Sequence, residues 1–121
     1  MKLKRNYQVT DAILRHKTFE TRNKHIFGFW DGARGARGNI YTVYSYGLHF
    51  PLLVYDANID KWFINTDKYS PTTARHQKLF PQGINATPVD TGLANLIAIH
   101  GFTGAMIKRE QQAVGMIMED V

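Results

Sequence analysis

The clearest hydrophobic pattern lies in the middle of the chain, between residues 40 and 66. Residues 40–46 are almost all β-branched or aromatic, and their side chains alternate between two faces as in a strand. Residues 49–55 and 61–66 have a similar composition. Pro51 donates no ladder hydrogen bond, which places it at an edge, a bulge or a strand start. The short connections predict a three-stranded antiparallel meander.

Shorter patterns precede the meander. Residues 9–17 predict a short helix capped by Thr10, and its few apolar side chains need a partner surface. Residues 18–22 and 25–30 have strand-like composition on either side of a polar turn. The N-terminal part of the chain is therefore expected to form one helix followed by a hairpin.

The pattern after the meander is helical. A serine–proline pair predicts the start of a helix over residues 71–79. Residues 90–101 predict a second helix, capped by Asp90 or Thr91 and ended by a glycine, and residues 103–119 predict a third. We therefore expect an α+β fold, in which an antiparallel meander of three or more strands packs against C-terminal helices that cover one face.

The chain length of 121 residues predicts a single domain. We divide it into a basic N-terminal third (1–38), a central meander with a short helix (39–80) and C-terminal helices (90–119). The absence of cysteine excludes disulfides, thiolate nucleophiles and Cys-ligated metals. No apolar run reaches the ~18 residues of a membrane span, so we expect no membrane association and a location in a host cytoplasm.

Positive charge is concentrated in the first third of the chain. The net charge of the whole chain is +5, and residues 1–38 alone carry nine Lys or Arg against three acidic residues. Such a distribution is typical of a surface that binds nucleic-acid phosphates. The alternative is a basic surface that is merely solvated.

Two segments favour anions. The glycine-rich loop over residues 32–38 carries two arginines, and the free amides at the start of the helix after residue 70 lie near hydroxyl and basic side chains. The alternative for the loop is that its arginines are only solvent-exposed, and the alternative for the helix start is that its hydroxyl side chains only cap the helix. The candidate anion-binding residues are Arg34, Arg37, Lys68, Ser70, Thr72, Thr73 and Arg75.

Histidines offer a catalytic alternative. His49 and His76, joined by Asp67 or Tyr69, could act as general base and acid in phosphoryl transfer without a metal ion, provided that they meet in space. Structural or solvated histidines are the alternative. No histidine has a partner at metal-ligand spacing, so we expect no metal and no cofactor.

Aromatic residues in the predicted meander offer a surface for bases. Tyr44 and Tyr46 would share one strand face, where nucleic-acid bases could stack on them. The alternative is that these rings belong to the core.

The central block contains a specific order of short motifs. They are VYSYG at 43–47, HFP at 49–51, Trp62, DKYS at 67–70, Thr72-Thr73 and His76-Gln77. In this order and spacing the block resembles a family of small proteins carried by bacteriophages and related mobile elements. The resemblance implies a phage origin and assigns no catalytic residue.

The expected function is therefore that of a small phage accessory protein. We expect a non-enzymatic binding module with a basic surface that favours nucleic acid. One alternative is a host-directed anti-defence inhibitor, for example an anti-CRISPR, that acts by contact with a host protein. The other is a small metal-independent nuclease or phosphotransfer enzyme that uses His49 and His76.

Overall fold

The computed structural model describes residues 2–30, 39–48, 50–68, 71–81 and 83–119, and of residues 71–73 and 115–119 only the backbone. Over these ranges the chain forms, in order, β1 (Lys2–Leu3), α1 (Asn6–Leu14), β2 (Phe19–Thr21), β3 (Ile26–Trp30), β4 (Ile40–Ser45), β5 (Pro51–Asp56), β6 (Lys61–Asn65), α2 (Pro71–Gln77), β7 (Ala86–Val89) and α3 (Thr91–Glu119). The expected α+β class is confirmed. Among the helices described, none has the length and apolar character needed to cross a membrane.

The strands form one sheet whose spatial order is the order of the chain. From β2 to β6 each strand is antiparallel to the next, so the predicted meander and the preceding hairpin are confirmed. The two outer strands, β1 and β7, are parallel to their neighbours. A parallel neighbour requires a crossover connection, and α1 and α2 lie in these two connections.

A bulge shapes the end of β4. Pro51 is the first residue of β5 and lies opposite Tyr44, where the register shifts by a β-bulge. Its predicted position is therefore confirmed, since neither a strand start nor a bulge needs its missing N–H. The backbone of Tyr46 then enters the left-handed region at φ 57°, which takes this residue out of the strand.

The sheet has a core on each face. On one face, Val43, Leu53 and Trp62 pack with side chains of α1 and the segment after α2. On the other, Val54 and Phe63 pack with the first half of α3 and Ala105. The C-terminal helix therefore covers one face as expected, but the opposite face is also covered. Every residue of β4 is buried, because its alternation is between two cores rather than between core and solvent.

The N-terminal helix begins earlier than predicted, and its cap is different. The side-chain oxygen of Gln8 accepts hydrogen bonds from the backbone N–H groups of Lys4 (3.1 Å) and Arg5 (3.0 Å). Thr10 lies inside the helix, and its hydroxyl donates to the carbonyl of Leu79 at 2.9 Å. The prediction that Thr10 caps the helix is wrong. The side chain of Gln8 already accepts hydrogen bonds from the backbone N–H groups that precede the first turn.

The two predicted C-terminal helices are confirmed: α3 consists of two helical segments separated at Gly101, where φ is 76° and ψ is 168°. Asp90 caps it, as one of the two predicted alternatives, by accepting from the backbone N–H of Leu93 at 2.8 Å. At the break, the buried carboxylate of Asp56 accepts from the backbone N–H of Phe102 at 2.8 Å. The sheet thus satisfies the amide that the broken helix leaves free.

Candidate anion-binding cleft

Three of the predicted site residues line a cleft in the structure, namely Tyr46, Arg75 and His76. His76 lies in the last turn of α2 and is partly buried. Its Nδ1 atom is 2.7 Å from the hydroxyl oxygen of Ser45, at the end of β4. The hydroxyl of Ser45 is buried, with the residue only 1% exposed, which makes it a support for the imidazole rather than an accessible nucleophile.

Several predicted site residues fall outside what the structure describes. His49, Tyr69, Ser70, Arg34 and Arg37 are outside the described residues, and the side chains of Thr72 and Thr73 are too. The predicted pairing of His49 with His76 and the anion site at the start of α2 therefore stay predictions.

Asp67 has a different role from the predicted one. Its carboxylate accepts the backbone N–H of Thr91 at 2.8 Å, and the Thr91 hydroxyl also bonds to it. These two hydrogen bonds hold the pKa of Asp67 below its usual value. Since the described partner of His76 is Ser45, Asp67 serves the start of α3 instead of orienting that imidazole. Lys68 follows it as an exposed residue.

The two tyrosines predicted to share a face are separated. Tyr44 is 2% exposed and packs against Phe27 and Phe29, with ring centroids 5.5 and 5.7 Å away. The prediction that Tyr44 stacks on bases is therefore wrong, because both faces of β4 are covered. Tyr46 lies beyond the strand end and is 45% exposed.

His25 is a site residue that the sequence analysis did not name, and so are Lys4, Arg5 and Arg22. In the β3–β4 ladder Ile26 pairs with Ser45, so the residues just outside this pair, His25 and Tyr46, become neighbours. The backbone N–H of Tyr46 donates to the carbonyl of His25 at 2.7 Å. The ring of Tyr46 lies 4.4 Å from that of His25 and 5.5 Å from that of His76. Extending the predicted hairpin to its register with β4 would have revealed this neighbour.

These side chains border two adjoining cavities, which we call the basic cleft. The cavities have volumes of about 240 and 350 Å³ and share Asn6, Asn23, His76 and Leu79. The larger also contacts His25, Tyr46 and Arg75, and the smaller contacts Leu3, Lys4, Arg5, Val9, Thr21, Arg22 and Ile26. Among these described lining residues there is no carboxylate, so the cleft carries an excess of positive charge.

The pKa of His76 reflects this environment. Burial lowers it from 6.5, and the proximity of His25 and Arg75 lowers it further. His76 is therefore neutral at neutral pH, with one ring nitrogen able to accept and the other able to donate a hydrogen bond. A phosphate group would instead be favoured here, because the potential that disfavours an imidazolium attracts an anion.

The described side chains do not form a metal centre. Within the part of the chain that the structure describes, no group of three or more His, Cys, Asp or Glu residues could hold a metal ion. The chemistry of the basic cleft is that of Lys, Arg, imidazole and amide side chains, which donate hydrogen bonds to anions. Comparisons of this chain with protein-family models, with curated proteins and with solved structures found no match.

Proposed function

We propose that this protein is a non-enzymatic module that binds nucleic acid, with the phosphates held in the basic cleft. The observation that carries the proposal is the convergence of Lys4, Arg5, Arg22 and Arg75 on two adjoining cavities. The site differs from the expected loop at residues 32–38. A role as a phage accessory protein agrees with the resemblance of the central block.

The positions of the four cations in the chain support this function. Lys4 and Arg5 join β1 to α1, Arg22 lies in the turn after β2, and Arg75 lies on α2. Three separate segments thus bring like charges to one place, which costs electrostatic energy in the free protein. A polyanion that spans the cleft relieves this repulsion and releases its own counterions.

The dimensions and the rim of the cleft support a nucleotide-sized ligand. Cavities of about 240 and 350 Å³ that share residues are together in the range of ordinary ligand pockets. Tyr46, with its exposed ring beside two imidazoles, lies at the larger cavity. Phosphates on the arginines would leave a base within the reach of these rings, the combination used by single-strand binders.

The test is the salt dependence of binding to a fluorescent single-stranded oligonucleotide. The double variant Lys4→Gln/Arg22→Gln removes two cleft charges, and Lys108→Gln/Arg109→Gln removes the same two residue types from the exposed part of α3. We expect the cleft variant to reduce the slope of log K against log salt by about 1.4, at ~0.7 for each lost phosphate contact. The α3 variant should keep the parent slope.

Two outcomes would contradict the proposal. Equal losses in both double variants would mean that binding follows net charge and does not use the cleft. No binding of the parent protein at low salt would remove nucleic acid as the ligand.

A metal-independent phosphotransfer enzyme is the second candidate, because two imidazoles border one cavity. In this candidate function, His25 replaces His49 as the second catalytic histidine, and neutral His76 is the general base. Cleavage of a labelled oligonucleotide in the presence of a chelator, lost in both His25→Ala and His76→Ala, would support it. Binding with no cleavage by the parent protein would exclude it.

A further inference from the structure

A row of four aromatic residues crosses the sheet on the face that packs against α1. Trp30 pairs with Tyr41, Tyr41 with Tyr55, and Tyr55 with Trp62, on the adjacent strands β3, β4, β5 and β6. Paired residues point to the same face with Cβ atoms about 5 Å apart. The register therefore forces these four rings into one continuous patch, which we call the aromatic row.

The imidazole of His16 lies against all four rings. Its centroid is 4.2 Å from Tyr55 in a stacked arrangement and 5.3 Å from Trp62. It is 5.6 Å from Tyr41 and 5.8 Å from Trp30, both approached at an edge. Four aromatic side chains around one nitrogen-containing group form the arrangement by which proteins bind organic cations.

His16 holds this position in an unfavourable backbone conformation. It follows the end of α1 with φ 53°, a region that glycine adopts more easily than histidine. The Trp30 indole N–H donates to the carbonyl of His16 at 2.8 Å, and the Tyr41 hydroxyl donates to the carbonyl of Lys17 at 2.7 Å. The aromatic row therefore contacts the imidazole of His16 and also holds the backbone of residues 16 and 17 by hydrogen bonds.

The electrostatics of the row suit a cation better than its present occupant. Aromatic faces carry negative potential, and Asp60 adds a carboxylate that accepts from the Tyr55 hydroxyl. That hydrogen bond, with burial and the nearby carboxylates, raises the pKa of Tyr55 to about 12. Burial lowers the pKa of His16 more than Asp60 raises it, so the imidazole is neutral at neutral pH. A neutral occupant gains nothing from the attraction that the rings offer to positive charge.

We propose that the aromatic row is a binding site for a trimethylammonium group, and that His16 is a plug which such a group displaces. A quaternary ammonium gives up little hydration on entering an aromatic site and gains the attraction of several ring faces. Trp30 lies at the outer end of the row and is 37% exposed, which leaves an entry side. The proposal does not depend on the basic cleft.

The test compares tetramethylammonium binding in the parent protein and in His16→Gly by NMR of the two indole N–H signals. Glycine fits the left-handed backbone at this position, so the variant loses the plug without adding backbone strain. We expect saturable shifts in the parent protein and about tenfold tighter binding in His16→Gly, which corresponds to ~1.4 kcal/mol. Sodium chloride at equal ionic strength should give no saturable shift.

Two further variants show whether the row is the site. Trp30→Leu removes a ring at the open end, and Asp60→Asn removes the carboxylate while keeping the side-chain shape. Each should weaken binding in the His16→Gly background several-fold. Unchanged binding in Trp30→Leu, or no saturable shift in His16→Gly, would overturn the proposal. Parallel titrations with choline and free trimethyl-lysine then compare two ligands that share the trimethylammonium group and differ in the rest of the molecule.

Discussion

Replacing Gly101 by alanine should destabilise the fold strongly, because the break in α3 depends on this residue. Its φ of 76° and ψ of 168° lie in a region that is essentially open to glycine alone. Holding alanine there costs roughly 1–3 kcal/mol. The added Cβ would also lie 3.3 Å from the Asp56 carboxylate and 3.6 Å from the side chain of Ile40.

The contact with Asp56 adds to this cost. The carboxylate accepts from the Phe102 N–H at 2.8 Å and is buried, so a shift of the backbone weakens a hydrogen bond to a charged group. Such bonds contribute about 1.5–3 kcal/mol. Strain and partial loss of this bond together predict a decrease in the free energy of unfolding of roughly 2–4 kcal/mol.

Urea unfolding followed by tryptophan fluorescence measures this change, since Trp62 is buried in the folded protein. Gly92→Ala is the matched control in the same helix. A Cβ there meets only the Asp90 carboxylate, at 3.6 Å, and alanine should stabilise the protein by about 0.5–1 kcal/mol. A loss below about 0.5 kcal/mol in Gly101→Ala would refute the reasoning, because ordinary surface substitutions change stability by that much.

Two other predictions concern the core and the histidines. Gly28→Ala should destabilise the protein by about 1–3 kcal/mol through overpacking, since a Cβ would lie 2.7 Å from a ring carbon of Phe19 and 2.8 Å from the Tyr41 hydroxyl; an unchanged urea midpoint would contradict the close packing. The free energy of unfolding should fall as the pH drops below 6.5, because burial lowers the pKa of His16 and His76 in the folded state and the unfolded chain then binds more protons. Thermal melts between pH 7.5 and 5 check this, and the double variant with glutamine at both positions should show a smaller slope; equal slopes would refute the assignment.

The central part of the fold was predictable because its signals are local. Alternating β-branched and aromatic residues, the position of Pro51 and the glycine at 101 each act within a few residues. The coverage of the second sheet face by α1 was not predicted. The apolar residues of this helix indicate that it packs on another element, but they do not indicate which one. Tyr44 is buried on the opposite face, where it packs against Phe27 and Phe29 of the neighbouring strand.

The site was less predictable because it depends on register and on long-range hydrogen bonds. His25 and Tyr46 are neighbours only through the pairing of β3 with β4. Asp67 looked like a partner for a nearby histidine, but it binds the start of a helix 24 residues later. The basic residues in the first third of the chain did indicate an anion-binding surface. Their proximity to Arg75 depends on the two crossover connections at the edges of the sheet, which the sequence analysis did not predict.

The parallel edge strand β1 has a consequence for how the protein assembles. It contributes only two residues to the sheet, and the next two in the chain, Lys4 and Arg5, line the basic cleft. The antiparallel strands from β2 to β6 each pair with the next strand in the chain, whereas β1 is held to the sheet through β2. Loss of the β1–β2 pairing would move Lys4 and Arg5 away from Arg22, so a ligand that bridges these side chains should stabilise the docking of the N-terminal segment by mass action.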